Sequence, residues 1–125
     1  MSVIRNSELP RTSLPGIEHT TLASSANGLT NLSIWRQSIA PGGATPPHRH
    51  ECEEVVLISA GEGELRLDGK VHRFGPDTTL AIPGNVPHEI INTGDKHLEL
   101  VGILAASPVE VFFPDGQRIE LPWVT

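Results

Sequence analysis

His48-Arg49-His50-Glu51-Cys52-Glu53-Glu54, joined by the downstream Pro83-Gly84-Asn85-Val86-Pro87-His88, decides how this chain folds. Side chains two apart on a strand leave the same face, so His48 and His50 can aim into one cavity. Glu54 and the distant His88 complete a set of three imidazoles and one carboxylate, which suits a single divalent metal ion. Such donors fix affinity better than metal identity, so manganese, iron and nickel suit the set as well as zinc.

The remaining composition narrows the classes. A chain of 125 residues is one domain with enough length to bury a core. The net charge is −6 without any lysine or arginine run, so nucleic acid would meet no positive surface. No apolar stretch approaches the roughly 20 residues that span a bilayer, and none after Met1 reads as a secretion signal. A cytoplasmic protein with no membrane partner is expected. The single cysteine, Cys52, excludes an intrachain disulfide.

Eleven prolines and twelve glycines interrupt any run long enough for an amphipathic helix, so strands and turns should dominate. Strands are predicted over residues 32–39, 55–58, 65–67, 78–82, 89–92, 98–104 and 109–113. Val55-Val56-Leu57-Ile58 is apolar at every position, the pattern of a strand covered on both faces. Counting Lys70 as a third loop residue after Asp68-Gly69 puts Leu67 opposite Val71, a bulged hairpin. Many short strands make the fold class all-β, a sandwich or barrel. Residues 1–27 read as an arm along a barrel of residues 28–113, with 114–125 as a tail docked by Trp123.

Gly42, five residues, His48, one, His50, three, Glu54, six, Gly61 matches the first cupin motif, and Pro83, four, His88, three, Asn92 matches most of the second. The sequence resembles a cupin, which implies a double-stranded β-helix, or jelly-roll, barrel. Asn85 stands where that family has glycine, and Asp77 replaces the glycine six residues before the proline. Asn tolerates the left-handed backbone almost as readily as glycine, so the turn should survive. Glu54 alone has the motif spacing, which leaves Glu53 as a solvated turn residue.

The chain is further similar to the plant auxin-binding proteins, through Trp35, Gln37, Pro41-Gly42, Thr45-Pro46, His48-Arg49-His50-Glu51-Cys52-Glu53-Glu54-Val55 and Leu121-Pro122-Trp123. That resemblance implies zinc held by His48, His50, Glu54 and His88, with the carboxylate of a ligand approaching the metal inside an apolar barrel. It places Gln37 and Thr45 near the carboxylate, and Ile17, Trp35, Pro46 and Trp123 around an aromatic slot. The second and third cysteines of the plant proteins are missing here, so pocket geometry follows from the resemblance and a hormone-receptor role does not.

Other residues have plainer readings. His19, His72 and His97 are surface or hydrogen-bonding histidines; Cys52 is an apolar filler; Trp35 and Trp123 serve as core or subunit contacts as readily as pocket walls; Arg36 and Arg49 point outward. Two functions compete. One is a binding module for a small, planar, aromatic carboxylate. The other is a metal-dependent dioxygenase, lyase or isomerase acting on a small organic acid. No acid or base outside the metal set presents itself, which favours binding. A homodimer is expected from the apolar 55–58 strand and from the resemblance.

Overall fold

Turns at Gly, Pro, Asp and Asn cut the apolar segments short, and the computed structural model, which describes residues 3–125, is built from strands. Six form one antiparallel sheet in the spatial order β1 (Thr12–Leu14), β2 (Ile17–Ala23), β3 (Ser33–Ile39), β9 (Leu98–Leu104), β4 (Glu54–Ala60) and β7 (Thr78–Ile82). Three form a second sheet in the order β6 (Lys70–Phe74), β5 (Gly63–Leu67) and β8 (His88–Asn92), and β10 (Val111–Phe112) pairs with β11 (Arg118–Ile119). Val56, Ile58 and Leu100 from the larger sheet meet Leu65 and Ile90 from the smaller in one core. This is the all-β jelly roll expected from the motifs. Among the described residues no helix is long and apolar enough to cross a membrane.

Residues 12–23, expected to lie along the barrel as an arm, join it edge-on as strands: β2 hydrogen-bonds to β3 from Ile17↔Ile39 to Ala23↔Ile34. The tail closes over them, with Thr21 Oγ1 donating to Val124 O at 2.8 Å and Ser25 Oγ to Thr125 O at 2.9 Å.

Two expectations need correction. The 55–58 run is covered on one face only within this chain, since Val56 and Ile58 are buried while Val55 and Leu57 are 38 % and 43 % exposed. A continuous apolar run does not say which alternate residues face inward; here the outward pair sits on the outer surface of the larger sheet. The 67–70 hairpin has no bulge: Leu67 pairs with Lys70 and Arg66 with Val71. Asp68 (φ 50°) and Gly69 (φ 78°) are both left-handed, as a two-residue type I′ turn requires, and that turn matches strand twist better than a longer loop. Lys70, Val71 and His72 are all exposed, so no burial demand opposed this register.

Asp77 (φ 59°) and Asn85 (φ 62°) also adopt the left-handed conformation, at the positions where the motif has glycine. Asn85 is held in place, its Oδ1 accepting from Arg49 Nη1 at 3.0 Å. The Asp77 side chain has no such partner among the described hydrogen bonds. Asp77→Gly therefore relieves strain of about 1–2 kcal/mol, offset in part by the greater freedom of glycine in the unfolded chain. Denaturant unfolding should show the variant more stable by about 0.5–1 kcal/mol; a less stable variant would mean that the turn uses the carboxylate.

Candidate metal centre

Pro46 and Pro47 carry no N–H and so interrupt any regular ladder, yet the segment before β4 is pinned along β8 by separate bonds. Thr45 N–H donates to Ile90 O at 3.0 Å, His48 N–H to His88 O at 3.0 Å, and His88 N–H returns to His48 O at 2.8 Å. His48 and His88 are thus directly opposed across an antiparallel bridge, and both side chains leave on the same side. His50 follows by strand parity, and Glu54 opens β4.

The three imidazoles bring one nitrogen each to within 4.8 Å of one another. Each Nδ1 faces a backbone carbonyl two residues away: His48 to Pro46 O at 2.6 Å, His50 to Cys52 O at 2.8 Å and His88 to Val86 O at 2.8 Å. A proton on Nδ1 satisfies those carbonyls and turns every Nε2 towards the shared centre, the arrangement that orients a metal-binding histidine. Glu54 Oε1 lies 3.1 Å from His50 Nε2 and 3.6 Å from His88 Nε2. His88 Nε2 is buried without any hydrogen-bond partner. A buried orphan nitrogen beside two more imidazoles and a carboxylate fits a divalent metal ion, and His48, His50, Glu54 and His88 would hold it.

Burial, reinforced by the neighbouring His88, pushes His48 down to about 4. Burial acts against charge on His50 too, but its contacts with Cys52 and the Glu54 carboxylate outweigh it and raise His50 to about 10. Glu54 is likewise opposed by burial, yet the hydrogen bond from His50 and the close approach of His88 bring it down to about 2. The protein by itself therefore carries a His50 imidazolium beside a Glu54 carboxylate at neutral pH.

His48, His50, Glu54 and His88 line one cavity of about 190 Å3, together with the six ligand-pocket residues that the resemblance implies: Ile17, Trp35, Gln37, Thr45, Pro46 and Trp123. Thr45 Oγ1 accepts from Ile90 N–H at 2.9 Å, leaving its own proton free to donate. The indole N–H groups of Trp35 and Trp123 are buried without partners among the described residues. Leu14, Ile90, Leu100, Val111, Ile119 and Leu121 add apolar wall that the motifs did not indicate. Gly102 was also missed. A Cβ there would lie 2.8 Å from Glu54 Oε2, so the glycine leaves the carboxylate its space; a glycine inside the apolar 98–104 strand was the available signal. Glu53, His72 and His97 are exposed and stand apart, whereas Cys52 packs against the cluster of Trp35, Leu104, Val109 and Val111.

A family model described as auxin binding protein matches residues 1–120. The chain is 35 % identical over 130 residues to auxin-binding protein T92 of Nicotiana tabacum, covering 92 % of this chain and 70 % of that protein. It is 37 % identical over 125 residues to auxin-binding protein 1 of Arabidopsis thaliana, covering 90 % and 63 %. Among solved structures, a cupin-2 domain from Rhodospirillum rubrum superposes with a TM-score of 0.74 at 22 % identity, over 90 % of this chain and 80 % of that one.

Metal loading must remove the extra proton, because histidine ligates as the neutral imidazole. At pH 7, above the Glu54 value of about 2 and below the His50 value of about 10, uptake should release about one proton per site. Apparent affinity should then rise with pH until His50 deprotonates unaided. Calorimetric titration in buffers of unequal ionisation enthalpy counts these protons; a count of zero would make all three imidazoles neutral beforehand.

Proposed function

The chain belongs to the auxin-binding protein family of cupins, and on that footing we propose that it captures a small aromatic carboxylate on a zinc ion held by His48, His50, Glu54 and His88. The observation that carries this reading is the shared cavity, where the four donors sit among apolar and indole walls. A divalent ion held by three neutral imidazoles and one carboxylate would retain a positive charge, which would attract an anionic oxygen. Thr45 supplies a hydroxyl donor, and Ile17, Trp35 and Trp123 offer apolar surface to a flat ring.

Magnitudes say that both halves are needed. A buried aromatic ring of about 200 Å2 contributes about 5 kcal/mol at 25 cal/mol per Å2. Association alone costs about 4–15 kcal/mol, so ring burial without the metal contact gives little or no affinity. Acid–base turnover has less support. Among the described lining residues, the only ionisable side chain outside the metal set is Glu120, which is 87 % exposed and lies 4.0 Å from Arg118.

Elemental analysis of protein purified without added metal, followed by calorimetric titration with indole-3-acetate, tests the proposal. Bound zinc and saturable binding that disappears on chelation are expected. His48→Ala and His88→Ala should lose the metal and the binding, whereas His72→Ala should keep both. Oxygen-dependent consumption of the compound would instead favour the enzyme reading.

We also propose a homodimer through the outer face of the larger sheet. There Ile34, Ile103, Val55 and Ala81 form one row across four strands, flanked by Val101 and Leu57 in the next. A second copy would bury this apolar surface. Sedimentation velocity should report a dimer at micromolar concentration and a monomer for Leu57→Glu; a monomeric native protein would rule the dimer out.

A further inference from the structure

Strand pairing sets His19 of β2 directly opposite Gln37 of β3. His19 is 1 % exposed, and both its ring nitrogens are engaged. Nδ1 lies 3.0 Å from Gln37 Nε2, and Nε2 lies 2.8 Å from Thr21 Oγ1, which itself donates to Val124 O at 2.8 Å. Only one assignment of protons satisfies this chain. The Thr21 hydroxyl has committed its proton to Val124, so it accepts from His19, and the imidazole proton is on Nε2. Nδ1 is then bare and accepts from the Gln37 amide N–H. Burial, which lowers the His19 pKa to about 4, keeps the ring in this neutral form at neutral pH.

Gln37 lines the cavity, while His19 does not. An amide free to rotate could present either its oxygen or its nitrogen to a given point. Here the nitrogen is drawn towards His19, which determines what remains for a bound molecule: the carbonyl oxygen and the second N–H. The His19 ring is itself held flat against Trp123, with centroids 3.7 Å apart and planes at 12°. The other face of the cavity's aromatic wall, Trp35, meets it edge-on at 5.4 Å.

We infer that His19 is a positioning residue for ligand recognition: through its Nδ1 it orients the Gln37 amide, and through Thr21 it ties that orientation to the docking of the C-terminal strap at Val124. The inference rests on the cavity being a ligand site, and it makes strap placement and Gln37 orientation parts of one unit. His19 touches none of the metal-set residues in these contacts, so its loss should separate ligand affinity from metal affinity.

The test uses the zinc-loaded full chain with indole-3-acetate as probe. His19→Phe keeps a ring for Trp123 to stack on and removes both hydrogen bonds. Binding should weaken by about tenfold with zinc retention unchanged. In a Gln37→Leu background the same change should alter affinity by less than about twofold, because the two residues act as a unit. Thr21→Val, a change that a strand tolerates, provides a second route should the phenylalanine variant fail to fold; it should weaken binding by about three- to tenfold. Native affinity in His19→Phe, or effects that multiply with Gln37→Leu, would overturn the inference. Failure of the native protein to bind the probe would refute the ligand reading itself, and nitrogen-15 spectra then decide the positioning claim without ligand. Gln37 side-chain amide shifts that lie away from free-amide values in the native protein and move to them in His19→Phe support it, and unchanged shifts refute it.

Discussion

The mutual backbone pair between His48 and His88 is the contact on which the site depends. It joins two segments forty residues apart at the one register that points both imidazoles the same way. Because strand side chains alternate with period two, a slip of one residue would send one histidine outside and take His50 or Ile90 with it. The prolines at 46 and 47 make that register harder to slide, since the segment has few N–H groups with which to pair elsewhere.

Polar groups in an apolar cavity cost free energy unless they are satisfied, and the three imidazole Nδ1 atoms are satisfied here from the backbone. Carbonyls of Pro46, Cys52 and Val86 orient the three imidazoles, so no second layer of acidic side chains is needed. What is left over among the described residues is the His88 Nε2 atom and the two indole N–H groups. Gly102 belongs to the same design, since it leaves room for the Glu54 carboxylate that a larger residue would displace.

The two ends of the chain contribute as much to the cavity as the motifs do. Leu14 and Ile17 arrive on β1 and β2, and Trp123 arrives on a tail held by Val124 and Thr125. His19 lies where these pieces meet, bonded to Gln37 on one side and stacked on Trp123 on the other. A cupin barrel thereby acquires a walled slot, and under the proposed function these walls, more than the metal donors, would select the bound molecule.

Fold class and the clustering of His48, His50, Glu54 and His88 were legible in the sequence, because both follow from motif spacing. The 48–54 and 83–92 stretches carry two-residue parity and fixed intervals, and Asn85 and Asp77 at glycine positions still take the left-handed backbone. Where local chemistry admitted two answers, only the tertiary structure chose. Asp68-Gly69 allowed a bulged loop or a two-residue turn, the 55–58 run allowed either face to be inward, and His19 looked like any hydrogen-bonding histidine. The cavity walls at Leu100, Val111 and Ile119, and the Gln37–His19–Thr21–Val124 chain, join residues up to about a hundred positions apart. Such partners are selected by sheet order and by the docking of the tail, which arise from burial summed over the whole chain and leave no periodic mark in any one segment.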